Sequence, residues 1–267
     1  MDRPPWVTED VELHRPSVAR VYDYLLGGWH NFAVDREMAA QLLTLAPDAA
    51  DVMRANRAFL RRAVRFMVAE GVTQFLDVGS GIPTVGNVHE IAQKANPATK
   101  VAYVDIDPVA VAHSRAMLKG QENTSIVRGD LRKPAAILAD PEVQRVIDFS
   151  RPVGLLIVSV LHFIADEDNP QAATAQLRDA LPSGSYFAMS HGAWADRQES
   201  AQVEELYQRT TSQVIARPAD EIAAFFGDFQ LVEPGLVFLP AWRPESPDEV
   251  DDHPERFVSL AGVGQKP

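Results

Sequence analysis

The run Phe75-Leu76-Asp77-Val78-Gly79-Ser80-Gly81 decides how the rest of the chain is read. Upstream of it, apolar residues such as Val52, Phe59, Ala63, Phe66 and Met67 recur at helical spacing. At Val72 the period changes. A short apolar run ends at an acid, a glycine turn follows, and a helix then continues through Ala95. A strand that breaks at glycine and feeds a helix opens a βαβ unit, because only glycine tolerates the tight backbone turn such a loop needs.

The pattern repeats downstream. Lys100–Asp105 reads as a strand, and Asp107-Pro108 opens a helix through Leu118, with Asp107 as N-cap and Pro108 as first helical residue. Residues 125–128 form a third strand, and Asp140-Pro141 opens another helix. Val153–Val160 is a continuous apolar strand, and Asn169-Pro170 repeats the cap-plus-proline device before a helix through Leu181. Residues 185–190 form a fifth strand, followed by a helix over 199–212. Strands alternating with helices require a parallel sheet covered on both faces. The ending differs: 229–232, 235–239 and 256–262 are strand-like and no helix separates the last two, so they predict an antiparallel addition at one edge. Toward the N-terminus, 16–26, 34–45 and 48–70 read as helices, the first ending at Gly27-Gly28. Residues 1–15 read as a polar arm. The expected organisation is a helical lid over 1–70 and an α/β core over 71–267.

Composition narrows the function classes. At 267 residues the chain can bury one sizeable core plus an appendage. A net charge of −12 argues against a nucleic-acid backbone as partner, since phosphate binding needs a concentrated basic surface. The one dense basic cluster, Arg54, Arg57, Arg61, Arg62 and Arg65, is spread around several faces of a helix. There is no cysteine, which excludes disulfides and thiolate chemistry, and the histidines His14, His30, His89, His113 and His253 show no metal-ligand spacing, so no metal site is expected. The longest apolar stretch, around Val153–Phe163, is too short to span a bilayer, and the opening lacks the pattern of a signal peptide. These features predict a cytoplasmic protein with no membrane partner; nothing in them sets the oligomeric state.

The acids indicate the ligand. A dinucleotide would bring a pyrophosphate toward Asp77, which that carboxylate repels, and the third glycine of the dinucleotide fingerprint is replaced by Thr84. A nucleoside cofactor carrying an ammonium and a sulfonium suits Asp77 instead. Asp105, at the end of the second strand, can accept both ribose hydroxyls, with Asp107 assigned to the helix cap and Ile106 beside it. In Arg128-Gly129-Asp130-Leu131, Asp130 can accept an exocyclic adenine amine while Leu131 lies against the ring. A tight turn with a capping role is the plainer account of each motif taken singly.

Together these motifs resemble the class I S-adenosylmethionine-dependent methyltransferases. Asp77, Gly79, Ser80 and Gly81 match the glycine-rich first motif, Asp105 the ribose acid, Asp130 the adenine-side acid, and Ser159-Val160-Leu161-His162-Phe163 the segment after the fourth strand. The strings Ala19–Gly28, Asn31-Phe32-Ala33, Asp35-Arg36, Asn56–Leu60, Val232–Gly235 and Ala261–Gly264 are similar to a largely uncharacterised actinobacterial methyltransferase family over nearly the whole chain. The resemblance implies a Rossmann-like, seven-stranded, mostly parallel sheet whose antiparallel last strand lies between the fifth and sixth, and S-adenosylmethionine as cofactor. It does not supply an acceptor.

Methyl transfer from a sulfonium to a nucleophile needs orientation and dryness more than a base. His162 and His191, each after a strand, are the candidates to face the acceptor; wall residues with satisfied rings are the alternative. Tyr22 and Tyr24 point in different directions on one helix, so one can cover the sulfonium while the other packs inward, or both can pack. Arg57 can hold a carboxylate or make a surface ion pair. Trp29 reads better as an anchor for the lid than as an acceptor wall. The expected activity is methyl transfer to a small molecule. The alternatives are a non-catalytic module that binds adenosylmethionine or adenosylhomocysteine, and a nicotinamide-dependent oxidoreductase, which the Asp77 argument opposes.

Overall fold

The computed structural model describes residues 11–83, 86–194, 200–246, 250 and 252–267. Residues 1–10 of the N-terminal arm, Thr84, Glu199 and part of the acidic, proline-rich loop before the last strand lie outside the described residues.

The chain opens with three helices, α1 (Val18–Leu25), α2 (Ala33–Leu45) and α3 (Ala49–Ala69). The α/β succession follows: β1 (Gln74–Val78), α4 (Val88–Ala95), β2 (Lys100–Asp105), α5 (Pro108–Met117), β3 (Thr124–Arg128), α6 (Pro134–Ala139), α7 (Pro141–Val146) and β4 (Gly154–Val158). Then come α8 (Pro170–Asp179), β5 (Tyr186–Gly192), α9 (Ser200–Tyr207), α10 (Ala219–Ala224), β6 (Gln230–Leu231), β7 (Val237–Phe238) and β8 (Ser259–Gln265). Three of the four Pro-led helices, α5, α7 and α8, start where the caps predict. Asp107 Oδ1 accepts from the Val109 and Ala110 amides, Asp140 Oδ1 from Glu142 and Val143, and Asn169 from Ala172.

The sheet runs β3-β2-β1-β4-β5-β8-β6, with β7 also on β8. The first five strands are parallel. β8 enters antiparallel between β5 and β6, pairing Tyr186 with Gln265 through to Gly192 with Ser259. β6 and β7 share its other edge, so eight strands fill seven positions; the turn with the cis Glu233–Pro234 bond separates the two short pieces.

Every residue of β1 is buried because its two faces serve two cores. Phe75 joins Phe59, Ala63 and Met67 of α3 with Trp242 on one face; Leu76 joins Ile157, Leu177, Phe187 and Phe225 on the other. α3 is thus part of the layer on the sheet, tied down by Arg62, which donates to the Trp242 and Leu239 carbonyls at 2.7 Å each. α1 and α2 belong to a separate apolar cluster with Leu206 and Tyr207 of α9 and Val214. Their frame is polar. Asp35, fully buried, accepts from Arg20 Nε at 2.8 Å, the Ser17 amide at 2.9 Å and the Phe32 amide at 2.7 Å.

Candidate active site

Parallel strands of an open sheet leave a crevice beyond their carboxyl ends, where the chain turns to opposite faces. Here that crevice is a cavity of about 510 Å³ beyond β1, β2, β3 and β4, roofed by α1 and flanked by α3. Gly79 and Gly81 turn the backbone at φ +81° and +68°. A Cβ on Gly79 would lie 2.3 Å from Val160 Cγ2, so glycine is required both by the angle and by the close approach of the β4 segment. The loop is held by β2: the Gly79 and Ser80 amides donate to the Val104 carbonyl at 2.7 and 3.2 Å.

The carboxylates at the rim differ in their bonding. Asp105 takes one backbone N–H on each oxygen, Gly81 N on Oδ2 at 2.6 Å and Asp107 N on Oδ1 at 2.8 Å. Each oxygen keeps a lone pair for a further donor. Burial pushes its pKa up to about 6 against the pull of those amides. Asp77 is only 5% exposed and makes no hydrogen bond among the described residues. Burial raises its pKa to about 7, with Arg57 opposing and Asp105 adding to the rise. Ser80 Oγ is likewise buried without a partner. Asp130 is occupied: Arg132 grips both of its oxygens, with Nε at 2.9 and 3.0 Å and Nη2 at 2.8 Å. Burial raises its pKa, but those bonds outweigh burial and the net shift is downward.

Tyr22, Arg57, Asp77, Gly79, Ser80, Gly81, Asp105, Ile106, Asp130, Leu131, Ser159 and Val160 all line this cavity. Tyr24 does not; it is 38% exposed, because a helical step of two residues turns it away from the side on which Tyr22 is placed. Arg57 donates to the Gly86 carbonyl at 2.8 Å rather than to an acid. Trp29 is 85% exposed and lines no cavity described here.

The two candidate histidines also separate. His191 is fully buried beneath the site, its Nδ1 against the Gly192 carbonyl at 2.7 Å and its Nε2 against Arg217 at 3.0 Å, with Phe225 stacked on the ring. It is a wall residue that reaches neither cavity, and burial lowers its pKa to about 4. His162 lines a second cavity of about 260 Å³ enclosed by α1, α2, α9 and the segment after β4. The two cavities share Val18, Tyr22, Ser159 and Phe163.

Sequence reasoning missed the network that sets this shared wall. Asn56, on α3, donates to the Tyr22 hydroxyl at 2.9 Å and accepts from Ser190 Oγ at 2.6 Å. Tyr22 in turn donates to the Met53 carbonyl at 3.2 Å, and the Ser159 amide donates to Ser190 Oγ at 3.0 Å. Ser159 sits at φ +57°, in the left-handed region, and these bonds hold it there. It also missed Arg132 and the link by which Ser17 Oγ hydrogen-bonds Asp107, tying α1 to the rim. Polar residues flanking an apolar helix face, as Asn56 does, were the available signal.

A doubly covered parallel sheet, an acid-lined glycine crevice and a reversed last strand define the class I, S-adenosylmethionine-binding type of methyltransferase. Residues 4–267 match the S-adenosyl methyltransferase family, and the chain belongs to it. Two solved structures are similar throughout. A candidate methyltransferase from Thermobifida fusca YX is 39% identical, covers 98% of this chain and 99% of its own, and superposes with a TM-score of 0.92. A DUF574 family protein from Streptomyces avermitilis MA-4680 is 36% identical over 96% and 99% of the two chains, with a TM-score of 0.91. The N-methyltransferase NodS from Bradyrhizobium japonicum WM9, 14% identical with a TM-score of 0.50 over 82% of this chain and 99% of its own, shares the fold. No curated protein matches. The chain is an S-adenosylmethionine-dependent methyltransferase. No described helix is long and apolar enough to cross a membrane.

Proposed function

We propose that the enzyme methylates a small molecule seated in the second cavity, with its cofactor held in the first. The observation that carries this is the shared wall of Val18, Tyr22, Ser159 and Phe163, which sets two chemically different pockets side by side. The donor set fits the cofactor. Asp105, with one free lone pair on each oxygen, suits the two ribose hydroxyls; charge-assisted hydrogen bonds of this kind contribute about 1.5–3 kcal/mol each. The unbonded Asp77 carboxylate suits a cationic group, and Arg57 is positioned across the same cavity for the amino-acid carboxylate. Ile106, half exposed, and Leu131 flank the place for the base; Asp130, although gripped by Arg132, lies beside it.

When bound, the cofactor supplies an activated methyl on a sulfonium. The chain's part is to orient and to exclude water. Tyr22 at the shared wall is held by Asn56 and Met53, which fixes its ring where a cation–π contact to the sulfonium is available. Because Tyr22 donates to a carbonyl and burial raises its pKa, it does not serve as the base. The N-terminal lid role falls to α1 and α2, whose Arg20–Asp35–Ser17 frame ends on Asp107 at the rim.

Incubating the protein with a labelled methyl donor and a fractionated extract of small metabolites tests the reading. Transfer to a low-molecular-weight fraction is expected. Val203 lines only the second cavity. Val203→Trp should abolish that transfer and leave adenosylhomocysteine affinity within about twofold. Undiminished transfer in this variant, or label found only on protein or nucleic acid, overturns the proposal.

A further inference from the structure

The second cavity carries more information than its position. Its walls are apolar helix faces, and one side is a cluster of rings: His162 lies 4.3 Å from Phe163 and 5.8 Å from Trp194, and Phe163 lies 5.8 Å from Tyr207. Among the described lining residues the only unlike charges are Asp48 and Arg256, and these are paired with each other at 3.2 Å. A charged ligand would therefore be desolvated without a free counter-ion, which is costly.

Two side chains in this lining, His162 and Tyr207, present buried donors. The Gly192 amide donates to His162 Nδ1 at 3.3 Å. A ring nitrogen that accepts carries no proton, so the neutral imidazole bears its hydrogen on Nε2. That Nε2 has no protein partner among the described residues, although the side chain is only 6% exposed. Burial, with His191 and Arg217 adding to it, holds the ring's pKa well below the usual range, in keeping with a neutral donor. Tyr207 is also 6% exposed and its hydroxyl has no partner among the described residues; burial raises its pKa to about 12, so it keeps its proton. Two buried donors that lack acceptors among the described residues are completed when a ligand in the cavity supplies the acceptors.

We infer that the acceptor is an uncharged aromatic molecule bearing carbonyl-type or ether-type oxygens, which take hydrogen bonds from His162 Nε2–H and Tyr207 O–H, and a separate O–H or N–H nucleophile, which would take the methyl from the sulfonium and release its own proton to solvent. This rests on the assignment of the second cavity to the acceptor. His162 then binds and aligns the substrate and removes no proton from it. The cavity's volume, about 260 Å³, is below the usual ~300–1,000 Å³ of drug-sized sites, which limits the acceptor to a few rings.

The test uses three bicyclic probes on protein saturated with adenosylhomocysteine, read by calorimetry. 1-Tetralone should bind about tenfold more tightly than tetralin, which has the same skeleton without the oxygen, and 1-naphthoate should bind most weakly. His162→Phe and Tyr207→Phe should each shrink the tetralone-to-tetralin ratio toward one, while His162→Gln, which retains an amide donor, should preserve most of it. Adenosylhomocysteine binding by each variant reports that it is folded. In nitrogen-15 spectra at pH 7, His162 should show the Nε2–H tautomer, and tetralone should shift that signal where tetralin does not. Equal binding of ketone and hydrocarbon, preferred binding of naphthoate, or an Nδ1–H tautomer overturns the inference alone. Failure of both neutral probes, with adenosylhomocysteine still bound, overturns the acceptor assignment of the cavity itself.

Discussion

The two cavities are built by opposite means. The first is made at strand ends, where neighbouring residues of one turn all line the crevice: Asp77, Gly79, Ser80 and Gly81 from a single turn, and Asp105 and Ile106 from the next. Its polar groups are backbone amides and carboxylates. The second is assembled from side chains far apart in sequence, Leu25, Leu42, Tyr207 and Val214 among them, brought together by helix packing. Its polar groups, His162, Tyr207 and the Asp48–Arg256 pair among them, come from separate elements and sit among apolar side chains. A chemistry that every relative of the fold must perform can be held by a short local motif. A chemistry that distinguishes one acceptor from another can be placed on helix faces, where a substitution changes the pocket without disturbing the sheet.

The sharpest break between the regions should come from Asp35→Ala. It removes the closest acid from the buried Arg20 guanidinium, leaving it Asp107 at 3.9 Å and two carbonyls, and loss of one partner of a buried pair costs about 3–5 kcal/mol. Thermal unfolding should detect the loss. If the helical frame is separable from the strand-end cavity, adenosylhomocysteine added at saturation should still raise the midpoint. Gly79→Val acts on the other region. Strain at φ +81° and the clash with Val160 should cost about 3 kcal/mol, or roughly 100-fold in cofactor affinity by calorimetry. An affinity within a few-fold of the parent would mean that the loop opens without cost. Asp105→Ala comes next, with an expected affinity loss of about tenfold or more, measured the same way. It also leaves the Gly81 and Asp107 amides without their acceptors, so a small drop in stability should accompany it.

The pH response sharpens the comparison further. Asp77 and Asp105 have folded pKa values raised to about 7 and about 6, above the ordinary value of 3.8. Between pH 4 and pH 7 the unfolded chain has released these protons while the folded protein retains them. The unfolded state then binds fewer protons, so stability falls as pH rises through this window and levels off above it. Burial, the main cause at both residues, is what makes the ionised form costly. A bound cation favours that form, so cofactor affinity should rise between pH 5.5 and 7.5 with release of protons. Calorimetry in buffers of different ionisation enthalpy measures that release, and Asp77→Asn should reduce it. The smallest effect belongs to Tyr24→Ala: with its ring turned away from the cavity, cofactor affinity should change by less than twofold.

Much of the fold was legible because its signals are local. Cap-plus-proline pairs at Asp107, Asp140 and Asn169 start helices for reasons contained in three residues. The run Gly154–Val158 is apolar throughout because helices cover both faces of the sheet. The short α6 and α10 were not legible, since six residues carry too little periodicity to show a face. The histidines show the same limit within the site. His162 and His191 both follow strands, yet one lines a cavity and the other is closed off by Arg217 and Phe225, which arrive from 26 and 34 residues further along.

By itself, then, the amino-acid order determined the α/β alternation, the reversed final strand, the glycine crevice and the acids on its rim, since each depends on residues within one turn or one strand. Only the tertiary structure decided that Tyr22 rather than Tyr24 lines the strand-end cavity, that Asn56 and Ser190 hold the shared wall, and that a largely apolar cavity adjoins the first. Those outcomes depend on which helix faces are pressed together, and contact between distant faces is a property of the packed chain as a whole.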